Sequence, residues 1–183
     1  MCFGIPILDI LIRRLQKADE EEFSSIRGLI MSPTRELAIQ IKDHIEAVIP
    51  NQYGSKIKVC AIVGGMSIQK QLRLLKWKPT IIVATPGRLW ELMSEHMNAY
   101  LLEGLPMIDV LVLDEADRMI ADGHFKELRH ILAHVYTRRL HLKTKDIKNK
   151  KEESKNEVLD EIFEDEEIIE EGVEKMDGKI DWS

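Results

Sequence analysis

The stretch Asp109-Val110-Leu111-Val112-Leu113-Asp114-Glu115-Ala116-Asp117, DVLVLDEAD, decides the fold class. Its first five residues form a nearly continuous apolar run, the pattern of a strand with both faces covered rather than one face wetted. Four residues with three carboxylates then follow directly. At ordinary residue usage the tetrapeptide Asp-Glu-Ala-Asp arises about once in 10^5 positions. It can be read as an acidic helix start, because carboxylates favour a helix N-terminus. Its position at the end of a buried strand favours chemistry instead: hard oxygen ligands for magnesium beside a base that orients water.

Three further strand candidates precede it: Gly28 to Ser32, Ile57 to Val63 and Thr80 to Ala84. Helical patterns run from Ile5 to Gln16, Glu36 to Val48, Ser67 to Trp77, Gly87 to His96 and Gly123 to Val135. Strands alternating with helices predict an α/β fold, a parallel sheet with helices on both faces. Ligands of such sheets lie at the carboxyl ends of the strands. Pro33-Thr34-Arg35-Glu36 follows the first strand, Gly64-Gly65 the second, and Thr85-Pro86-Gly87-Arg88 the third. Each offers a hydroxyl, a guanidinium or open backbone N–H groups, which suit phosphate oxygens. Alone each is ordinary turn chemistry; together at the strand ends of one sheet they form a set.

In that order, PTRELAIQ (33–40), VGG (63–65), ATPGRL (84–89) and VLDEADRM (112–119) resemble the first RecA-like domain of a DEAD-box ATP-dependent RNA helicase. The resemblance covers about residues 1–136. VGGMSIQKQ, ATPGRLWEL and DEADRM followed by GHFKEL are most similar to a nucleolar member acting in large ribosomal subunit assembly. The resemblance implies ATP and Mg2+ as cofactors, with Asp114 holding the metal through water and Glu115 activating the water that attacks the γ-phosphate. Asp117 would link the nucleotide site to the RNA-binding elements. Pro33, Thr34, Arg35, Glu36, Gly64, Gly65, Thr85, Pro86, Gly87 and Arg88 would meet RNA. Contacts to the RNA backbone imply little sequence preference.

The family's phosphate loop, GxxxxGK[ST], does not occur in the sequence. Gly178-Lys179 is a decoy: Gly172 is one residue too far away and Ile180 stands where Ser or Thr is required. The expectation is therefore a fragment, an incomplete RecA-like sheet lacking its P-loop strand, its Ser-Ala-Thr strand and the second domain. Such a chain is expected to be inactive alone, marginally stable and prone to aggregate through exposed apolar surface. The competing reading is a non-catalytic RNA-binding or regulatory module with an acidic partner-binding tail. A DNA helicase or translocase of the same superfamily is disfavoured by PTREL and DEAD together.

Charge divides the chain. Residues 1–140 carry a net charge of +1 and residues 141–183 a net of -7, out of -6 for all 183 residues. The first part is expected to be the partial helicase domain and the second a charged insertion or tail. In the tail, a lysine-rich block precedes an acidic one with a thin apolar stripe, Val158, Leu159, Ile162, Ile169, Val173 and Met176. Like-charge blocks that cannot bury enough apolar surface imply disorder, with a partner-induced acidic helix as the alternative. Pre-ribosomal proteins are the partners the resemblance implies, and the nucleus, specifically the nucleolus, the location.

Cys2 and Cys60 form no CxxC pair, against a disulfide scaffold or cysteine zinc module and consistent with a reducing compartment. No apolar run approaches the roughly 18 residues of a membrane helix, so a soluble, intracellular protein is expected. The start is not expected to act as a secretory signal, since Arg13 and Arg14 follow the apolar stretch rather than precede it. His130 and His134 have the i, i+4 spacing of zinc ligands but lack the Glu of HExxH, and a solvated helix face is expected. Trp77 and Trp90 are expected to pack, with base stacking as the alternative, and Arg73, Lys76 and Lys78 to form a solvated helix end, with a modest RNA-facing patch near Trp77 as the alternative.

Overall fold

Strand β3 (Ile81–Ala84) is buried at all four positions and is paired on both sides, which explains its unbroken apolar sequence. The computed structural model describes residues 3–17, 25–121 and 126–136, all within the unit Met1–Arg139. The expectations for the tail at 141–183 lie outside the described residues. Four parallel strands, β1 (Gly28–Met31), β2 (Val59–Ile62), β3 and β4 (Val110–Leu113), stand in the spatial order β2-β3-β1-β4. All four fall inside the stretches predicted from sequence.

Two cores fill the two faces. Because side chains alternate along a strand, Ile30, Ala61, Ile81 and Val83 point to one face and Leu29, Met31, Cys60, Ile62, Ile82 and Ala84 to the other. The first face is covered by α1 (Gly4–Leu15) and α2 (Arg35–Val48). In α2, Ala38, Ile41 and Ile45 at i, i+3 and i+7 make the apolar stripe. The second face takes α3 (Ile68–Lys76), α4 (Pro86–Ser94), α5 (Ala99–Gly104) and α6 (Ala116–Ala121), with the helical stretch 126–136. Within that last prediction, residues 123–125 lie outside the described ones.

Three outcomes differ from the sequence reading. First, α5 was not foreseen; Asn98 starts it, its side chain accepting from Leu101 N–H at 3.2 Å. Second, β4 is only partly buried along its length, although its apolar run predicted both faces covered; among the described residues it pairs with β1 alone and is one of the two edges of the sheet. Third, Asp109 at the foot of β4 forms ion pairs with Arg14 of α1 and with Arg27, whose guanidinium is 3.9 Å away and almost fully buried. That network closes the end of the sheet opposite the strand ends that carry the motifs. No helix among the described residues is long and apolar enough to cross a membrane.

Candidate nucleic-acid groove and the neighbouring carboxylates

Parallel pairing aligns all four strand ends along one edge, and the spatial order determines which loops meet there. Since β3 lies between β2 and β1, the loops after these three converge on one open groove of about 360 Å³. Pro33, Thr34, Arg35, Glu36, Gly64, Thr85, Gly87 and Arg88 line it, so eight of the ten residues singled out for RNA come together. Pro86 is buried at the first turn of α4, where its fixed φ and missing N–H suit a helix start. Gly65 stands beside the groove behind Arg35: a Cβ there would lie 3.0 Å from Arg35 Cζ and closer still to Nη1.

Local chemistry fixes the walls. Thr34 caps α2, its Oγ1 accepting from Leu37 N–H at 3.3 Å, so this N-terminus opens toward the groove with Arg35 as its first helical residue. Thr85 starts α4 from extended backbone without a side-chain cap, and so its hydroxyl makes no cap hydrogen bond. Arg88 is mostly buried and is held 3.0 Å from Glu91, one helical turn on. Arg35 and Glu36 approach at 3.5 Å with both side chains more than half exposed. The groove thus combines two helix N-termini and two arginines, complementary to successive phosphates of a chain.

Two contributors were missed in the sequence. Glu91 lines the groove and neutralises Arg88; the i, i+3 spacing was its only signal. Gln71 is fully buried in α3, and its Nε2 donates to Val63 O at 2.8 Å and Met66 O at 3.1 Å. Those carbonyls bracket Gly64-Gly65, so one amide holds the glycine loop in shape. A glutamine inside an amphipathic helix gives no hint of which backbone atoms it will reach.

The DEAD carboxylates follow β4, beyond β1, and do not line the groove. Asp114 N–H donates to Met31 O at 2.8 Å, extending the ladder one residue. Its half-buried carboxylate has no hydrogen bond or ion pair among the described residues, and neither has that of Asp117. Glu115 occupies the left-handed region at φ 50 and lies 3.3 Å from Arg118. A non-glycine residue there is uncommon and costs about 1 kcal/mol or more. The turn lets α6 begin at Ala116, so the acidic helix start and the strand-end carboxylate are both realised. Uncommitted carboxylate oxygens at a strand end suit magnesium, which takes one or two carboxylates and keeps its waters.

Other sequence candidates resolve differently. Trp90 packs as expected, against the core and 4.7 Å from the His130 ring. His134 Nε2 is 2.9 Å from Leu102 O. The two histidines are therefore partly buried and engaged, not a solvated face, and they have separate partners. Trp77 does not pack: it is 67% exposed, because it ends α3 beyond the last core position, Leu75. Among the described residues, a compact trio able to take a cation forms at Glu91, Glu95 and His96 rather than in DEAD; Glu91 there already pairs with Arg88.

A family model described as DEAD/DEAH box helicase matches residues 1–151. Over 144 residues the chain is 46% identical to "DEAD-box ATP-dependent RNA helicase 13" of Oryza sativa subsp. japonica, covering 72% of this chain and 17% of that protein. It is 53% identical over 105 residues to "ATP-dependent RNA helicase DDX24" of Homo sapiens, covering 57% and 12%. Among solved structures, "DEAD-box helicase Mss116 bound to ssRNA and UDP-BeF" is similar, with a TM-score of 0.60 and 30% identity over 72% of this chain and 25% of that one. The chain spans about one sixth of the length of the first of these relatives.

Proposed function

The chain belongs to the DEAD/DEAH box helicase family, and we propose that its described residues serve as the first RecA-like half of an enzyme coupling ATP hydrolysis to RNA binding and duplex unwinding. The observation that carries this is the convergence of Thr34, Arg35, Gly64, Thr85, Gly87 and Arg88 on one groove at the strand ends. Helix N-termini and guanidinium groups there bind phosphates of an RNA backbone and read no base edges. Pro33, Glu36, Gly65 and Pro86 shape the same loops.

Magnesium-bound ATP would supply the phosphoryl group that is transferred to water in this coupled hydrolysis. Asp114 would hold the metal through water. Glu115, held in its turn beside Arg118, would orient the attacking water and accept its proton. Asp117 would link this site to the groove, since both adjoin β1. The 183 residues contain no GxxxxGK[ST], so this chain by itself would bind RNA without turning over ATP. Work in large ribosomal subunit assembly, in the nucleolus and with pre-ribosomal proteins engaged by residues 141–183, follows from the sequence resemblance.

A second reading is a non-catalytic RNA-binding module. It is favoured by a groove complete within this chain in the absence of a phosphate loop from its sequence. The test separates them. Oligo(U) binding by the chain should weaken in Arg35→Ala and Arg88→Ala; no change sinks both readings. In a polypeptide extended to carry GxxxxGK[ST] and the second domain, Glu115→Gln should abolish RNA-stimulated ATP hydrolysis while RNA and ATP still bind. Undiminished turnover would remove Glu115 from its role, and no turnover in the unsubstituted polypeptide would favour the binding module.

A further inference from the structure

We propose that the exposed face of α3 is a second single-stranded RNA contact, in which Lys70, Arg73, Lys76 and Lys78 follow the phosphates and Trp77 stacks on a base. It rests on the reading of the groove as an RNA site and extends it to a surface that none of the groove residues touches. Helix α3 starts just after Gly64-Gly65 and runs back along the sheet, ending beside the feet of β2 and β3. Its nine residues span about 13 Å at 1.5 Å per residue. A strand leaving the groove therefore has a continuous path along it.

Charge selects the occupant. Positions 47–90 hold seven Lys and Arg and no Asp or Glu. Lys70, Arg73, Lys76, Trp77 and Lys78 are all exposed. Positions 70, 73 and 77 share one helical face, at i, i+3 and i+7. None of the four cations makes an ion pair among the described residues; Asp43 and Glu46 line the same cavity as Lys70 and Trp77, but both are paired with Lys42. A positive track with an aromatic ring is the arrangement that binds single strands without sequence preference.

The backbone that carries the ring is also held in place. Trp77 N–H donates to Leu74 O at 3.1 Å, Lys58 Nζ donates to Trp77 O at 3.1 Å, and Tyr100 Oη donates to Pro79 O at 2.8 Å. Lys78 takes φ 52, closing the helix in a left-handed conformation where glycine would be unstrained. A lysine there accepts backbone strain and adds a charge beside the ring. An exposed Trp on a fixed turn has little backbone freedom left to lose when a base stacks on it.

The experiment uses the 183-residue chain with fluorescein-labelled oligo(U) of 20 nucleotides, reading anisotropy and tryptophan emission. Binding should quench emission, and Trp77→Ala should remove most of the quench and weaken affinity roughly tenfold. Trp77→Tyr should restore most of the affinity, and Lys70→Gln with Arg73→Gln should lower the salt slope by about 1.4. Circular dichroism unchanged from the parent shows that these surface variants fold. Unchanged affinity in Trp77→Ala, with Arg35→Ala and Arg88→Ala still damaging, overturns the α3 contact and leaves the groove. Sensitivity to Trp77 with insensitivity to both arginines overturns the groove and retains the α3 surface. Failure of the parent chain to bind overturns both. Displacement of oligo(U) from the Arg35→Ala, Arg88→Ala double variant by oligo-glutamate at lower concentration than by unlabelled oligo(U) assigns the face to an acidic protein partner and also overturns the proposal.

Discussion

The Arg35 guanidinium occupies the space a side chain on Gly65 would need: a Cβ there would lie 3.0 Å from Cζ, and Gly65 has a φ of 77. Arg35 opens the helix after β1 and Gly65 lies in the loop after β2, so the two meet across the end of β3, which lies between those strands. Gly65 is thus small for a neighbour's sake as well as its own backbone. Gly64 has nothing within 4 Å of a built Cβ and no positive φ.

Gly65→Ala should therefore destabilise the chain by about 1–2 kcal/mol through left-handed strain, and weaken RNA binding by displacing Arg35. Gly64→Ala should change stability by less than about 0.5 kcal/mol. Urea midpoints and oligo(U) titrations of the pair check this. Equal effects at both positions would refute the account.

Gln71→Leu keeps the volume but leaves Val63 O and Met66 O without their donor. A cost of about 1–3 kcal/mol in urea unfolding is expected, together with weaker RNA binding as the glycine loop loosens. A loss of stability with RNA affinity unchanged would confine Gln71 to packing.

Glu91→Gln should strengthen RNA binding. Glu91 holds Arg88 at 3.0 Å inside the groove and repels phosphate. Removing its charge frees the guanidinium, with a gain of about two- to fivefold at low salt that shrinks as salt rises. Weaker binding in this variant would mean that Glu91 positions Arg88 more than it competes for it.

Burial pushes the Cys60 thiol up to about 12 from 9.0. The folded state keeps its proton more tightly than the unfolded chain, so this stabilisation is complete below about pH 9 and declines as pH rises toward 12. In a Cys2→Ser background, where Cys60 is the remaining thiol, a thiol reagent at pH 8 should react only after urea is added. Fast labelling of the folded chain would show that the strand opens.

The four strands were legible because buried strands are written as short, unbroken apolar runs, Ile81 to Ala84 most plainly. Helix α2 was legible as the helical pattern from Glu36 to Val48, since its buried positions Ala38, Ile41 and Ile45 repeat at helical spacing. Gln71 was not, because a buried amide's worth depends on which carbonyls come within reach, here Val63 and Met66. Trp77 misled for a related reason: a tryptophan reads as core, but at a helix end beyond Leu75 there is no core to face. His130 and His134 read as solvated, yet Trp90 and Leu102 come from distant sequence to cover them.

The sequence by itself determined the parallel α/β class, the family and the residues able to meet phosphate or magnesium, since these depend on local period and on side-chain chemistry. Only the tertiary structure decided which of them share a site. The chain runs β1, β2, β3, β4, but hydrogen bonding orders the sheet β2-β3-β1-β4. That permutation brings Gly64, Thr85 and Arg35 to one groove and leaves Asp114 beside it, at the end of an edge strand. The physical reason is that strand order is set by how helices cover both faces of the sheet, a sum over contacts far apart in sequence that no local pattern records.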